Sequence, residues 1–327
     1  MKNVKIISTG SYIPKKIVTN KDLEKLVDTN NEWIIERTGI EERRLVEDDE
    51  ITSDLAAKAA MNALQNAGIK AEEIELIIVT TNSPDMIFPA TACIVQDKIN
   101  AKKAAIFDLQ SGCTGFIYAL ITAWQFVATG FYNNALVIGA ETLSKFVDWT
   151  DRNTCVLFGD GAGAVIIQAN EQKGLLSGYL GGDGTKSDLI IIPAGLSKNP
   201  ASHETVEKRL HYVKMKGNEV FKYAVTHMKR ATIDALTKCN LSVDDIDCFI
   251  PHQANMRIIS VVAKLLDLKK EKVYLNLNKY GNTSAASVAI ALDEAVKEGK
   301  IKNGSIVVLT AFGAGLTYGS IVLKWID

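Results

Sequence analysis

The sequence predicts an α/β protein assembled from two similar halves, and two offsets within the chain carry that reading. Shifted by 172, Ala63, Leu64, Ile69, Glu73, Ile74, Glu75 and Ile78 fall on Ala235, Leu236, Leu241, Asp245, Ile246, Asp247 and Ile250, so each copy reads as helix, short acidic turn and buried strand. Shifted by 169, Gly112, Cys113, Phe116, Ala119, Leu120, Ala123, Phe126 and Gly130 fall on Gly281, Asn282, Ala285, Val288, Ala289, Leu292, Ala295 and Gly299. An apolar stripe at helical spacing and a terminating glycine recur in both.

In chain order, residues 4–9 read as an opening strand, and 104–108 as a strand leading through a sharp turn into a helix that starts near Cys113. Strands at 135–139 and 305–309 follow the two apolar helices. A polar connector containing Gly181-Gly-Asp-Gly184 and Asn199-Pro200 leads to a long helix from about Asn218 to Lys238, where Phe221, Val225 and Met228 mark a core-facing stripe. The halves are taken as 1–170 and 171–327, with no boundary sharp enough to separate independent domains.

The 327 residues suffice for a full buried core, and 47% hydrophobic with 23% charged residues is ordinary for a globular protein. A formal net charge of −1 gives no reason to expect nucleic acid or an anionic membrane as partner. No apolar run approaches the roughly 20 residues of a membrane span, and the opening apolar stretch is too short for a signal peptide. Five cysteines without close pairs argue against a disulfide framework, so a reduced, cytoplasmic setting is expected.

Of the cysteines, only Cys113 is presented by a strand-to-helix turn; Cys93, Cys155, Cys239 and Cys248 sit in apolar or helical stretches and read as small buried residues. A sulfur at a helix N-terminus meets unpaired N–H groups, which predicts a thiol pKa lowered from about 8.5 towards neutrality and a nucleophile. His252 closes the strand 247–251, at the edge where sites gather in α/β sheets. His203 and His211 lie in the connector and His227 on the long helix, so surface or core roles suit them. Asn282 at a helix start is an N-cap by default, but its alignment with Cys113 draws it towards a shared site. Phe158-Gly-Asp-Gly-Ala-Gly-Ala164 precedes a strand and fails the phosphate-loop patterns, whereas Ala311-Phe-Gly-Ala-Gly-Leu316 is a tight connection whose backbone N–H groups suit an oxyanion. No metal-ligand spacing occurs.

Asn31-Glu-Trp-Ile with Arg37-Thr-Gly-Ile40, Cys113-Thr-Gly-Phe116, Asp151-Arg152, the Phe158–Ala164 segment, Gly217-Asn-Glu-Val-Phe221, Pro251-His-Gln-Ala-Asn255, Gly281-Asn-Thr-Ser-Ala285 and Ala311-Phe-Gly313 follow one another in an order that resembles the β-ketoacyl-acyl carrier protein synthase III family of the thiolase superfamily, nearly end to end. The resemblance implies a thiolase-like five-layered α-β-α-β-α fold from two duplicated halves and a homodimer that starts type II fatty acid synthesis. Acyl-CoA would acylate Cys113, and malonyl-acyl carrier protein would then lose CO2 and attack the bound acyl group. No resident cofactor is implied, since acyl-CoA is a substrate.

On this resemblance the catalytic set is Cys113, His252 and Asn282. The latter two would donate hydrogen bonds to the enolate oxygen, and the N–H groups of Cys113 and Ala314 would hold the oxyanion formed during acylation. Thr29, Trp33, Arg37, Arg152, Asn218 and Asn255 would bind CoA, with Trp33 and Arg152 sandwiching the adenine. Phe88, reaching into the partner's pocket, and Phe312 would shape the acyl site for a short chain, acetyl before a branched starter. Lys222, Gln253, Ala254, Asn255, Met256, Arg257 and Lys264 would dock the carrier protein. Gly112 replaces the alanine of many relatives, and the connector at 185–212 is longer than theirs. The rival readings are a secondary-metabolite condensing enzyme, an acyltransferase with the same triad, or a non-catalytic acyl-CoA-binding or scaffold protein.

Overall fold

The computed structural model describes residues 1–327. Its first sheet has the order Asn3–Tyr12, Gly161–Asn170, Asn134–Glu141, Leu76–Thr80, Ala105–Asp108, with two antiparallel pairings followed by two parallel ones. The second sheet runs Leu175–Gly182, Thr317–Lys324, Ile306–Gly313, Cys248–Pro251, again antiparallel twice and then parallel. Where the first sheet has its fifth strand, the second has a single parallel bridge from Val273 to Phe249. The duplication is therefore real, and one copy has lost most of an edge strand. The chain crosses between sheets from Asn170 to Leu175.

Strand side chains alternate between two cores, as expected of sheets covered on both faces. In Leu76–Thr80, Leu76 and Ile78 face a central cluster while Ile77 and Val79 face an outer one. In Ile306–Gly313, Val307, Leu309 and Ala311 share that central cluster, and Val308 and Phe312 join the outer cluster of the second half. The central layer is formed by the helices Gly115–Ala128 and Ser287–Lys297, which supply Phe116, Leu120, Ala123, Val288, Ala291 and Leu292. Thr52–Ala67 covers the first sheet from outside, and Gly217–Lys238 with Met256–Leu265 covers the second. These are five α-β-α-β-α layers around one shared core.

The acidic turns predicted by the 172 offset are one-turn helices at Ala71–Glu73 and Val243–Asp245. Glu73 accepts from the Lys70 N–H at 2.8 Å and Asp245 from the Ser242 N–H at 2.7 Å.

The alignment of Cys113 with Asn282 is corrected by the structure. The turns Gly112–Thr114 and Ser284–Ala286 and the helices that follow, beginning at Gly115 and Ser287, are related by the 172 offset, which pairs Cys113 with Ala285 and Gly112 with Ser284. Gly112 and Ser284 both have left-handed backbones, with φ +55° and +46°. The helix ends do obey the 169 offset, because the second helix is three residues shorter, 11 against 14. By the 172 offset Asn282 pairs with Gln110; its N–H donates to the Leu157 carbonyl at 2.8 Å and its carbonyl accepts from the Gly159 N–H at 3.1 Å.

Candidate active site

Cys113 sits in the turn entering Gly115–Ala128, at the helix N-terminus the sequence predicts. The Ala311–Leu316 connection presses against it. A Cβ on Gly313 would stand 2.4 Å from the Cys113 nitrogen, and one on Gly112 would stand 2.6 Å from the Ala314 nitrogen. Two glycines thus let the backbones meet, and the nearby N–H groups of Cys113 and Ala314 act to lower the thiol pKa. The expected near-neutral thiol is not found. Burial pushes the Cys113 thiol up to about 11, with the Glu141 charge adding to the rise and the Ser284 hydroxyl and the two N–H groups opposing it. Desolvation outweighs the few partial charges of a helix start.

The stretch from Asn282 to Ser287 ties the other two predicted groups to this sulfur. Ser284 Oγ lies 3.2 Å from Cys113 Sγ, and the Ser284 N–H donates to Asn282 Oδ1 at 2.8 Å. That contact fixes the amide of Asn282 with its NH2 free to donate elsewhere. Ser287 Oγ lies 2.6 Å from His252 Nδ1 and accepts from the Gln253 N–H at 3.4 Å, and with no other acceptor bonded to its hydroxyl we assign its proton to Nδ1. A neutral imidazole then carries its own proton on Nε2. His252 is neutral: burial alone lowers its pKa from 6.5 to about 3. His252 and Asn282 are 3% and 7% exposed, so hydrogen bonds made by them act in a dry environment.

Behind Asn282 lies the wholly buried Arg43, whose guanidinium donates to Asn20 Oδ1 and the Val18 and Val156 carbonyls. A Cβ on Gly159 would stand 2.2 Å from the Tyr280 carbonyl oxygen and one on Gly281 2.8 Å from the Leu157 carbonyl oxygen, with Arg43 Cβ next at 3.2 and 3.4 Å. Phe158, whose backbone bridges to Asn282, belongs to an apolar cluster with Leu143, Val156 and Val213.

The residues assigned to CoA converge in part. The Arg152 guanidinium stands 4.4 Å from the Trp33 ring centroid, that of Arg37 stands 5.8 Å away, and Arg152 donates to the Asp28 carbonyl at 2.7 Å. Thr29 is half-buried with an unpartnered hydroxyl, and Asn218 is exposed in the first turn of Gly217–Lys238. Asn255 is the N-cap of Met256–Leu265, accepting from the Arg257 N–H at 2.8 Å and donating to the Arg37 carbonyl at 3.0 Å, which leaves one N–H to offer a ligand.

Phe88 is 83% exposed in a loop with Met86 and Ile87, also exposed. Phe312 departs from its expected place: it packs in the outer core beside His227, ring centroids 6.4 Å apart, one residue before the glycine that meets Cys113. The docking assignment for Gln253 is corrected. The residue is 1% exposed, and its amide bonds the Pro251 and Tyr274 carbonyls and the Asn276 N–H, so it is spent inside the fold. Lys222, Arg257 and Lys264 are exposed, Arg257 lying over the Phe221 ring beside Lys222, while Ala254 and Met256 are half-buried. Sequence reasoning missed Ser284 and Ser287; the available signal was two hydroxyls two and five residues past Asn282, placed by the turn to face different partners.

Residues 107–184 match the 3-oxoacyl-[acyl-carrier-protein] synthase III family model, and residues 236–325 match the model of its C-terminal part. Beta-ketoacyl-[acyl-carrier-protein] synthase III of Caldanaerobacter subterraneus subsp. tengcongensis is 59% identical, over 98% of this chain and 97% of its own. The protein of the same name from Clostridium acetobutylicum is 54% identical, over 99% of each. The crystal structure of 3-oxoacyl-[acyl-carrier-protein] synthase III from Aquifex aeolicus superimposes with a TM-score of 0.92 at 46% identity, covering 99% of this chain and 100% of that one. The chain belongs to the β-ketoacyl-acyl carrier protein synthase III family.

Proposed function

We propose that this chain condenses a short acyl-CoA, acetyl-CoA first, with malonyl-acyl carrier protein, giving 3-oxoacyl-acyl carrier protein, CoA and CO2 at the start of type II fatty acid biosynthesis. The observation that supports this most is the double glycine contact that seats the Ala311–Leu316 connection against Cys113, so that the Cys113 and Ala314 nitrogens lie beside the nucleophile.

In the first half-reaction the Cys113 sulfur attacks the acyl-CoA carbonyl. The two N–H groups stabilise the oxyanion, the acyl–S bond to CoA breaks, and the thiol proton ends on the CoA sulfur. In the second, malonyl-acyl carrier protein loses CO2, and the charge left on its thioester oxygen is held by His252 Nε2–H and the Asn282 NH2. The carbanion attacks the acyl group, and Cys113 leaves and regains a proton. A histidine kept neutral suits a donor that gives up no proton, and no strong base is needed because decarboxylation makes the carbanion.

Trp33, Arg37 and Arg152 would hold the CoA nucleotide, with Thr29, Asn218 and the spare N–H of Asn255 along its arm. The exposed basic group of Lys222, Arg257 and Lys264 would steer the acidic carrier protein. Phe88 would enter the acyl site of a second copy, and the protein would work in the cytoplasm as a homodimer. The test is product formation from acetyl-CoA and malonyl-acyl carrier protein: His252→Ala and Asn282→Ala should still take up acetyl on Cys113 yet fail to condense. Condensation at the wild-type rate in either variant would refute the enolate-holding roles of these two side chains.

A further inference from the structure

Glu141, at the end of the strand Asn134–Glu141, is completely buried without any cationic partner. Its carboxylate instead accepts from a cluster of neutral donors: Ser83 Oγ at 2.6 Å, Asn82 Nδ2 at 2.7 Å, the Asn82 N–H at 3.1 Å, Thr81 Oγ1 at 3.3 Å and the Ala285 N–H at 3.3 Å. Burial pushes the Glu141 carboxyl up, the hydrogen bonds from Ser83, Asn82 and Ala285 oppose that rise and favour the carboxylate, and nothing in the two condensation steps uses it. The Asn82 amide also donates to Ser284 Oγ at 3.1 Å, and Ser284 Oγ contacts Cys113 Sγ at 3.2 Å. The chain of donors has one direction. Asn82 must point its NH2 at the carboxylate, the same NH2 occupies a lone pair of the Ser284 oxygen, and the Ser284 proton is left facing the sulfur.

We infer that Ser284 is a further catalytic residue, a hydroxyl aimed at the Cys113 sulfur to stabilise its anionic form, and that Asn82 and Glu141 are positioning residues that fix the hydroxyl's direction. The inference rests on Cys113 as the nucleophile. An amide separates Glu141 from Ser284, so the arrangement carries no proton; it orients a dipole. Of the groups around the thiol, Ser284 and the N–H groups of Cys113 and Ala314 favour the anion, and burial and the Glu141 charge oppose it. Ser284 has the left-handed φ of +46°, so glycine can replace it without backbone strain.

The test is the pH dependence of Cys113 alkylation by iodoacetamide, followed on the Cys113 peptide by mass spectrometry in the full-length protein without substrate. Ser284→Gly should move the ionisation up by about one pH unit, the scale of one hydrogen bond to a charged group, which reads as about tenfold slower alkylation at a fixed lower pH. Acetyl transfer from acetyl-CoA to Cys113 should slow about tenfold at saturation with little change in KM, because Ser284 faces the sulfur and not the CoA arm. Asn82→Ala should move the profile the same way by a smaller amount. An unshifted profile in Ser284→Gly overturns the inference, even if its melting temperature falls; an unshifted profile in a folded Asn82→Ala overturns the positioning part. If Asn82→Ala does not fold, Ser284→Gly decides alone. Because alkylation requires no acyl-CoA, an unshifted profile is distinguishable from failure of the proposed reaction, which would show as wild-type protein that never becomes acetylated.

Discussion

Gly313 faces Cys113 so closely that a Cβ placed on it would lie 2.4 Å from the cysteine nitrogen and 3.0 Å from its Cβ. The contact brings a connection between the last two strands against the first turn of a helix in the other half, and it packs the Cys113 and Ala314 backbones side by side.

Gly313→Ala should therefore force those backbones apart. Losing one oxyanion donor typically costs about 10²- to 10³-fold, and acetylation of Cys113 should fall by at least that in a rapid-quench assay. Gly184→Ala is the control, since a Cβ there meets nothing within 4 Å, and it should leave the rate unchanged.

Ser287→Ala removes the partner 2.6 Å from His252 Nδ1. The imidazole proton is then free to reside on either nitrogen, and condensation should slow by about tenfold or more as the Nε2–H donor is lost part of the time. Single-turnover acetylation should be unaffected, and a loss confined to acetylation would contradict the assigned tautomer.

Acid should destabilise the protein through His252. Its folded pKa of about 3 lies below the unfolded value near 6.5, so on acidification the unfolded chain takes up a proton that the folded one refuses. This stability is present above pH 6.5 and lost as pH falls towards 3, by about 1.4 kcal/mol per unit. Urea unfolding at pH 7 and pH 5 should show wild type losing about 2 kcal/mol more than His252→Ala over that interval. Parallel losses in the two proteins would contradict a buried neutral histidine.

Arg152 already covers Trp33 at 4.4 Å, whereas an aromatic ring between them needs roughly 7 Å, two contact distances. In the proposed CoA-binding mode, with the adenine between them, Arg152 would have to swing off the indole and away from the Asp28 carbonyl. Trp33→Ala should raise the KM for acetyl-CoA about fivefold to thirtyfold, the range of a stacking or cation–π contact, with the rate at saturation kept. A fall in saturated rate with unchanged KM would place Trp33 outside CoA binding.

The duplicated α/β plan was legible because buried strands and helix stripes impose periods that survive divergence, as Ala63/Ala235 and Ile74/Ile246, all four buried, still show. Cys113 and His252 were legible because strand ends and helix starts are written in local sequence. The offset at Asn282 was misread, since a helix shortened by three residues preserves the apolar stripe and the closing glycine while shifting its own start. The raised thiol pKa was not legible: it follows from desolvation and from Glu141, 28 residues along the chain. Ser284 and Gln253 show the same limit, for their roles depend on which way a turn points a side chain, and residue type alone does not encode that.

Uptake and transfer of the acyl group by the Cys113 sulfur can be followed directly by intact-mass measurement of the protein after incubation with acetyl-CoA, repeated after addition of malonyl-acyl carrier protein. One acetyl group per chain should appear, mapped to the Cys113 peptide, absent in Cys113→Ala and discharged as 3-oxoacyl-acyl carrier protein on the second addition. Wild-type protein that stays unmodified, or an acetyl group found on another residue and retained in Cys113→Ala, would contradict a nucleophilic Cys113.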